Sequence, residues 1–464
     1  MPGAREIAYL SLERCEKQKK YSNLEIDAQV RKYKLSGAEK GLYVSLIYGV
    51  IERMITLDFI VSSLASRPLE KLDRAVLLPL RLGLYQLIFM DRIPQSAAVD
   101  ESVKIASKYA NKPLGGFVNA VLRSFLRATE NGRIKKLDEI FSREPFKKNY
   151  DSLGKYARLS VKYSYPQWLC RQFAEAYSDD TAESIMEAQN ASTSTTFRVN
   201  TLKTDREAVL KELAEHNVSA VPTRFSPIGI ISDGVAVSEL SDLLECGKIF
   251  VQDEASQLAA LALDAKSGDT VLDCCACPGG KSFSSAMLMQ NTGRIVSSDL
   301  HESKLSLIKS GAERLGISII ETRTADSSVY DKKFADTLGS GAQRVLCDVP
   351  CSGLGVIAKK PEIRYKSKDD IDRLPTVQMK ILQNCAKYVA PEGILVYSTC
   401  TLNPRENEEN IKAFLSENTD FEPVEIEFCS KSGEKIKSES GMITLFPHIH
   451  NTDGFFIAKM RRKA

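Results

Sequence analysis

Two cysteines occupy equivalent places in the second half of the chain, each just after an apolar run that reads as a buried strand. Asp348-Val349-Pro350-Cys351-Ser352-Gly353 follows one run, and Tyr397-Ser398-Thr399-Cys400-Thr401 follows another. The carboxyl ends of parallel strands meet at one edge of a sheet, so this pattern brings both thiols to that edge. A thiol suits nucleophilic chemistry because part of it is already ionised near neutral pH.

A third segment has the form of a strand, a glycine turn and a helix start, from Val271 to Ser282. Gly279 and Gly280 let the backbone approach a ligand closely, and the helix start offers free N–H groups. Asp299 ends the next strand, 26 positions after Asp273, and suits ribose hydroxyls. The chain has neither G-x-G-x-x-G nor a phosphate-binding P-loop. The spacing therefore favours an adenosyl cofactor, and a tight turn without a ligand remains the alternative.

Two thiols beside an adenosyl methyl donor suit one difficult reaction, methylation of carbon 5 of a pyrimidine. A thiolate that adds to carbon 6 makes carbon 5 nucleophilic, and acid–base help is then needed to remove the proton on carbon 5. This chemistry does not choose between Cys351 and Cys400. The histidines and cysteines form no paired C-x-x-C knuckles, so we predict no metal site. We predict that the other cysteines are small, buried packing residues: Cys15, Cys170, Cys246, Cys274, Cys275, Cys277, Cys347, Cys385 and Cys429.

Strands and helices alternate from about residue 254, which predicts a parallel doubly wound sheet. Residues 5 to about 128 have helical periodicity interrupted by prolines, and residues 129–165 form a polar connector with one or two short helices. A small α/β domain is predicted between this connector and the last domain. The predicted strands of the last domain are Thr270–Cys274, Arg294–Ser298, Ile319–Thr322, Arg344–Cys347 and Ile394–Tyr397, with an antiparallel pair, Ile443–Phe446 and Phe455–Met460, at one edge.

Charge is distributed unevenly along the chain of 464 residues. Residues 1–140 carry 23 Lys and Arg against 16 Asp and Glu, a net charge of +7, whereas the whole chain has +3. A basic module suits a polyanion such as RNA. We expect phosphate contacts from Arg5, Arg31, Lys32 and Lys34, and from Lys359, Lys360, Arg364 and Lys366 after Cys351. No secretory signal or 20-residue apolar span is found, which predicts a cytoplasmic protein without membrane contact.

These segments resemble a known family. Cys-Ala-Cys-Pro-Gly-Gly-Lys (275–281), Asp-Val-Pro-Cys-Ser-Gly (348–353) and Ser-Thr-Cys-Thr (398–401) look like the three signature blocks of the Sun family of RNA cytosine-5 methyltransferases. Gln252 to Gln257 resembles the entry to that catalytic domain. The first domain is similar to NusB, an RNA-binding helical bundle, in Leu46–Val50, Leu84–Phe89 and Gly116–Arg123. Fusion of the two resembles bacterial enzymes of the family that act on 16S ribosomal RNA.

The resemblance implies a role for each matching residue. Cys400 would be the nucleophile and Cys351 would help to release the product, while Asp348 and Lys281 would lie at the reaction centre. S-adenosyl-L-methionine would be the cofactor. The residues expected to bind it are Cys275, Ala276, Cys277, Pro278, Gly279, Gly280, Lys281, Asp299, Asp326 and Asp348. Cys277 and Val349 replace the alanines usual in the family, and we expect this to change packing only.

The resemblance also implies three domains. These are a NusB-like RNA-binding bundle (1–135), a connector with a small α/β domain (136–240) and a Rossmann-like S-adenosylmethionine-dependent methyltransferase domain (241–464). The expected partner is 16S ribosomal RNA, free or in an assembling small subunit, with no obligate protein partner. A transfer-RNA cytosine-5 methyltransferase and a non-catalytic NusB-like adaptor are the alternatives, and the adaptor would not need both thiols. An amino-group methyltransferase would carry Asn/Asp-Pro-Pro-Tyr/Phe where Asp348 to Cys351 stands.

Overall fold

The computed structural model describes residues 2–18, 22–191, 194–232 and 240–464. The chain divides into two units. The first contains Met1–Asn190 together with Lys360–Tyr365, and the second contains Ala191–Lys359 and Lys366–Ala464.

The first unit is helical, as predicted. Leu57, Leu84 and Leu122 belong to one apolar core of the bundle, and Tyr43 and Leu46 belong to a second. Side chains of Asp73 and Asn111 cap the helices that follow them. The helices are α1 (Ala4–Gln18), α2 (Ser22–Tyr33), α3 (Gly37–Glu52), α4 (Met54–Leu64), α5 (Arg74–Phe89), α6 (Gln95–Tyr109), α7 (Lys112–Ala128), α8 (Leu137–Phe141), α9 (Phe146–Asp151), α10 (Lys155–Tyr163), α11 (Gln167–Tyr177) and α12 (Asp179–Gln189).

The connector differs from the prediction, because three helices, α8 to α10, lie where one or two were expected. Their apolar residues, including Ile140, Phe141 and Phe146, are buried in the core of the bundle. Packing of these few side chains stabilises short helices, which the polar composition of the segment does not predict. In the part of the chain that the structure describes, no helix has the length and apolar character needed to cross a membrane.

The second unit begins with a small antiparallel sheet of order β2-β3-β1-β4. Its strands are β1 (Thr195–Val199), β2 (Ala220–Pro222), β3 (Gly229–Ser232) and β4 (Ile249–Val251), with helix α13 (Arg206–Glu215) packed on it and α14 (Ser241–Glu245) before β4. Strand β4 pairs with β1 through Phe197 and Val251, so this sheet continues past residue 240. The domain limits at 135 and 240 stay predictions.

The larger sheet has the predicted Rossmann-like core. Five parallel strands run in the order β9-β8-β5-β6-β7, and β14 adds to β9 in the antiparallel sense, followed by β10 and β13. The strands are β5 (Thr270–Asp273), β6 (Arg294–Asp299), β7 (Ile320–Thr324), β8 (Ala342–Asp348), β9 (Val389–Thr399), β10 (Phe421–Pro423), β13 (Met442–Leu445) and β14 (Phe455–Arg462); β11 (Glu427–Cys429) and β12 (Lys435–Lys437) form a separate hairpin.

Helices cover both faces of this sheet, which explains why its central strands read as continuous apolar runs. The helices are α15 (Glu254–Leu263), α16 (Gly280–Leu288), α17 (Glu302–Leu315), α18 (Lys332–Thr337), α19 (Lys368–Asp372), α20 (Leu374–Ala386), α21 (Glu408–Glu417) and α22 (Pro447–His450). Four of the parallel strands end at one edge in polar residues: Asp273, Asp299, Asp348 and Thr399. That edge carries the candidate site.

Candidate active site

The two thiols named from the sequence are in contact. Cys351 follows β8 and Cys400 follows β9, and the pairing of Asp348 with Ser398 aligns the ends of these strands. The two Sγ atoms lie 3.2 Å apart, within hydrogen-bonding distance for sulfur, and both cysteines are free. The shared sheet edge predicted for the two thiols is therefore present. Among the other cysteines, the prediction of burial is wrong for Cys246 and Cys429, which are exposed.

A partly buried ion pair lies beside the thiols. Lys281, in the first turn of α16, donates from Nζ to Oδ2 of Asp348 at 2.7 Å. The other oxygen of Asp348 accepts from Ser398 Oγ at 2.7 Å, and Lys281 Nζ also lies 5.2 Å from the centre of the Phe455 ring. The carboxylate of Asp348 is thus held by groups from two different elements.

The thiols of Cys351 and Cys400 differ in acidity. The hydrogen bond from Cys351 lowers the pKa of Cys400, and the Lys281 ammonium lowers it further, against burial and the charges of Asp348 and Asp453. The hydrogen bond to Cys400 and burial raise the pKa of Cys351. Burial alone would lower the pKa of Lys281, but Asp348 raises it, so Lys281 stays cationic. Cys400 is therefore the thiol that ionises first.

The glycine turn lies at the end of β5. Gly279 has a φ of +110°, and a Cβ at this position would lie 2.5 Å from the Phe283 ring, so the turn requires glycine. The N–H of Gly279 donates to Ala276 O at 2.7 Å, and Gly280 begins α16. The backbone of Ala276 in turn donates to Ser298 O at 2.8 Å, which holds the turn against the end of β6.

Two carboxylates flank this turn at neighbouring strand ends. Asp299 ends β6, its Oδ1 accepts from His301 N at 2.9 Å, and burial together with the charge of Asp299 raises the pKa of Cys277 to about 12. Asp326 is exposed after β7, and hydrogen bonds from Ser328 lower its pKa. Ionised carboxylates accept hydrogen bonds from ribose hydroxyls and amino groups. The set of groups around the turn therefore fits an adenosyl cofactor.

The sequence did not single out Glu406, whose carboxylate is fully buried. Its Oε2 accepts from Ser352 N at 2.9 Å and from Gln378 Nε2 at 2.8 Å, and its Oε1 accepts from Asn403 Nδ2 at 2.9 Å. This carboxylate joins the loop after Cys351 to the segment after Cys400. No motif marks it, because its donors are scattered along the chain from residue 352 to residue 403.

A second missed cluster surrounds Lys359. Its Nζ lies 2.7 Å from Oδ2 of Asp253 and 2.9 Å from Oδ2 of Asp453, and burial raises the pKa of Asp453 to about 7. The expected phosphate contact from Lys359 is therefore wrong, since its ammonium is engaged by two carboxylates of the protein. The same expectation for Arg364 is wrong as well, because this side chain is fully buried. Lys366 binds the carbonyl of Ser352 at 2.8 Å.

The predicted residues fall into two groups. Cys351, Cys400, Asp348 and Lys281 form one cluster of charges and thiols around the ends of β8 and β9. The turn 275–280, Asp299 and Asp326 form the other, at the ends of β5, β6 and β7. Among the residues with described positions, no group of three or more His, Cys, Asp or Glu is arranged to hold a metal ion.

A Rossmann-like sheet with a glycine turn and acidic strand ends defines the class of this protein as a methyltransferase. Family models match three parts of the chain: NusB over residues 2–127, a ferredoxin-like domain of RsmF/B-like methyltransferases over 165–237, and the 16S rRNA methyltransferase RsmB/F over 260–461. The chain belongs to the RsmB/F family of 16S rRNA methyltransferases, and the resemblance drawn from the sequence is confirmed.

Relatives match the chain along its whole length. A probable ribosomal RNA small subunit methyltransferase B of Bacillus subtilis is 37% identical, covering 99% of this chain and 98% of the relative. One of the same name from Synechocystis is 35% identical over 100% of both. The solved structure titled crystal structure of PH0851 has 27% sequence identity to this chain and a TM-score of 0.78, and the match covers 100% of this chain and 99% of that one. S-adenosylmethionine, the predicted cofactor, agrees with membership of this family.

Proposed function

We propose that this protein methylates carbon 5 of a cytosine in 16S ribosomal RNA through a covalent adduct with Cys400. The observation that carries the proposal is the contact between the Cys351 and Cys400 thiols beside the Lys281–Asp348 ion pair. A methyltransferase that acts on an amino group has no need of a nucleophilic thiol, whereas carbon 5 of a pyrimidine must first be activated.

Cys400 is the nucleophile of this proposal. The hydrogen bond from Cys351 and the Lys281 ammonium lower the pKa of Cys400, whereas the hydrogen bond to Cys400 and burial raise the pKa of Cys351. The Cys400 thiolate forms a bond from Sγ to carbon 6 of the cytosine, and the electron pair displaced from the 5,6 double bond makes carbon 5 nucleophilic. Bound S-adenosylmethionine supplies an electrophilic methyl group.

Cys351 serves the second half of the reaction. Once Cys400 is bonded to carbon 6, its sulfur is a neutral thioether, so the negative neighbour that hinders ionisation of Cys351 is gone. Cys351 then loses its proton to water, and its thiolate accepts the proton from carbon 5. The electron pair of that C–H bond restores the 5,6 double bond, and the bond from Sγ of Cys400 to carbon 6 breaks.

Asp348 and Lys281 hold the reacting groups in place. Asp348 is oriented by Lys281 and Ser398, so its oxygens lie beside the thiols without freedom to rotate. We infer that Asp348 contacts the cytosine or the cofactor. We also infer that residues 275–281 hold the methionine and adenosine portions of the cofactor, that Asp299 binds the ribose hydroxyls, and that Asp326 lies near the adenine.

The experiment is methyl transfer with isotopically labelled cofactor to naked 16S RNA, small-subunit particles and transfer RNA, followed by nucleoside analysis and mapping. The proposal predicts 5-methylcytosine at a defined position of 16S RNA, and no product with a Cys400→Ser variant. Label on an exocyclic nitrogen or on protein would overturn it. Label found as 5-methylcytosine in transfer RNA alone would support the proposed chemistry but overturn 16S RNA as the substrate.

A further inference from the structure

A short segment after Cys351 belongs to the first unit, although the residues on both sides of it belong to the second. Residues 360–365, here called the strap, are part of the helical unit. The strap begins nine residues after Cys351 and includes a short helical turn, Pro361–Tyr365. The chain therefore leaves the catalytic unit after Lys359 and returns to it at Lys366.

Arg364 anchors the strap. Its side chain is fully buried, and its Nη1 donates to the carbonyl of Glu52 at 2.8 Å and to those of Tyr163 and Ser164 at 3.3 Å. Its Nη2 donates to Asn190 Oδ1 at 3.1 Å, and the guanidinium carbon lies 4.4 Å from the centre of the Tyr165 ring. These contacts tie the ends of helices α3, α10 and α12 to one side chain.

The neighbours of Arg364 are held in the same unit. The hydroxyl of Tyr365 donates to Ile51 O at 2.9 Å. Oε1 of Glu362 accepts from Ser22 Oγ at 3.0 Å and from Ser22 N at 3.3 Å. Helices α2 and α3 of the bundle thus both bind this segment of six residues.

The two residues that flank the strap in the chain are held by loops of the catalytic unit, to which they themselves belong. Lys359, just before it, is held by Asp253 and Asp453. Lys366, just after it, donates to the carbonyl of Ser352, the residue that follows Cys351. Ser352 N in turn donates to the buried Glu406. Because the chain is continuous, we expect loss of the anchor to loosen Lys366 and, through its bond to Ser352, the backbone next to Cys351.

Burying the Arg364 guanidinium costs desolvation free energy, because the group loses strong hydration and the partners named here are neutral. Carbonyl oxygens and an aromatic face recover part of this cost and demand one orientation of the planar group. An apolar side chain would fill the space without that directional requirement. The contacts therefore serve orientation of the strap rather than stability alone.

We propose that Arg364 is a positioning residue that holds the Cys351 loop in place for release of the RNA adduct. This inference rests on the proposed function. It assigns to a residue of the helical unit an effect on one step of the reaction, the elimination that frees Cys400. Initial attack by Cys400 and binding of the cofactor are not expected to depend on it.

The test compares Arg364→Met with Arg81→Met. Arg81 is also a buried arginine of the first unit, paired with Asp58 and Glu16, but it does not belong to the strap. In single-turnover reactions with 16S RNA, Arg364→Met is expected to prolong the lifetime of the protein–RNA adduct by about tenfold to 100-fold, the usual cost of a misplaced group. Its affinity for S-adenosylmethionine is expected to stay unchanged. Arg81→Met is expected to lower thermal stability without prolonging the adduct.

Tyr365→Phe is a milder strap variant, included in case Arg364→Met fails to fold, because it removes only the hydrogen bonds of one hydroxyl. It is also expected to prolong the lifetime of the adduct, by a smaller factor. Adduct lifetimes equal to that of the unaltered protein in both strap variants would overturn the inference. So would an equal prolongation in Arg81→Met. If Cys351→Ala itself trapped no adduct, the proposed function would fail first, and the two failures are thereby distinguished.

Discussion

Cys351 and Cys400 are 49 positions apart in the chain, and their sulfur atoms lie 3.2 Å from each other. A disulfide bond would bring them to about 2.05 Å, so the distance is that of two thiols sharing a hydrogen bond. Only one of the two can readily carry a negative charge at a time, because two adjacent thiolates repel each other. The hydrogen bond from Cys351 and the nearby Lys281 ammonium favour the thiolate of Cys400, and this asymmetry sets the order of the two thiols in the proposed reaction.

Replacing Lys281 by Met is expected to alter the pH dependence of methyl transfer. The ammonium lowers the pKa of Cys400, so its removal raises that pKa and moves the acidic limb of the rate profile to higher pH. For each rise of one in the pKa of Cys400, the rate at pH values below the original pKa falls about tenfold, equivalent to about 1.4 kcal/mol. Lys281→Arg keeps the charge and is the control. An unchanged acidic limb in Lys281→Met would contradict the role given to this cation.

Replacing Asp273 by Asn is expected to change how stability depends on pH. Burial raises the pKa of Asp273 to about 7, so the folded protein holds this proton more tightly than the unfolded chain does. The stability contributed by the protonated group is full below about pH 4 and falls as the pH rises to about 7, by on the order of 2–4 kcal/mol. An asparagine side chain does not ionise. Thermal denaturation should therefore show a gain for Asp273→Asn at pH 8 and little at pH 4, and equal changes at both would refute the raised pKa.

Gly279→Ala is expected to weaken cofactor binding by about tenfold, or about 1.4 kcal/mol. A Cβ there would meet the Phe283 ring at 2.5 Å in a backbone conformation that favours glycine, so the turn must shift. Gly268→Ala is the matched control, since Gly268 also has a positive φ, +90°, but faces open space. Calorimetric titration with S-adenosylmethionine measures both. Similar losses in the two variants would trace the effect to backbone strain alone.

Glu406→Ala is expected to destabilise the protein by about 3 kcal/mol, because it leaves the donors of Ser352, Gln378 and Asn403 buried without this acceptor. Since Ser352 adjoins Cys351, methyl transfer should fall even at temperatures where the variant is folded. Glu409→Ala, at an exposed position of the next helix, is the control. Chemical denaturation gives the stability. A variant as stable as the control would show that Glu406 is dispensable.

The thiols could be placed from the sequence because each follows an apolar strand, and parallel strands end at a common edge. The same argument placed the glycine turn and Asp299. Glu406 could not be found in this way, since its partners come from positions 352, 378 and 403, which only the folded chain brings together. Its burial follows from tertiary packing, which leaves no local pattern.

Arg364 illustrates the opposite error. A stretch with Lys359, Lys360, Arg364 and Lys366 reads as an exposed basic surface, and sequence charge gives no sign that a guanidinium will be enclosed by carbonyl groups. The helical unit supplies those carbonyls from residues 52, 163 and 164, at least 200 positions earlier in the chain. Charge composition alone therefore does not predict whether any one charged side chain is exposed or buried.

Identification of the residue bonded to RNA tests the central claim most directly. The Cys351→Ala variant is incubated with 16S RNA and S-adenosylmethionine, digested with nuclease and protease, and analysed by mass spectrometry. A methylated cytidine attached to the peptide that contains Cys400 is the expected result. A nucleotide attached to another residue, or RNA that is methylated without any detectable adduct, would contradict the mechanism.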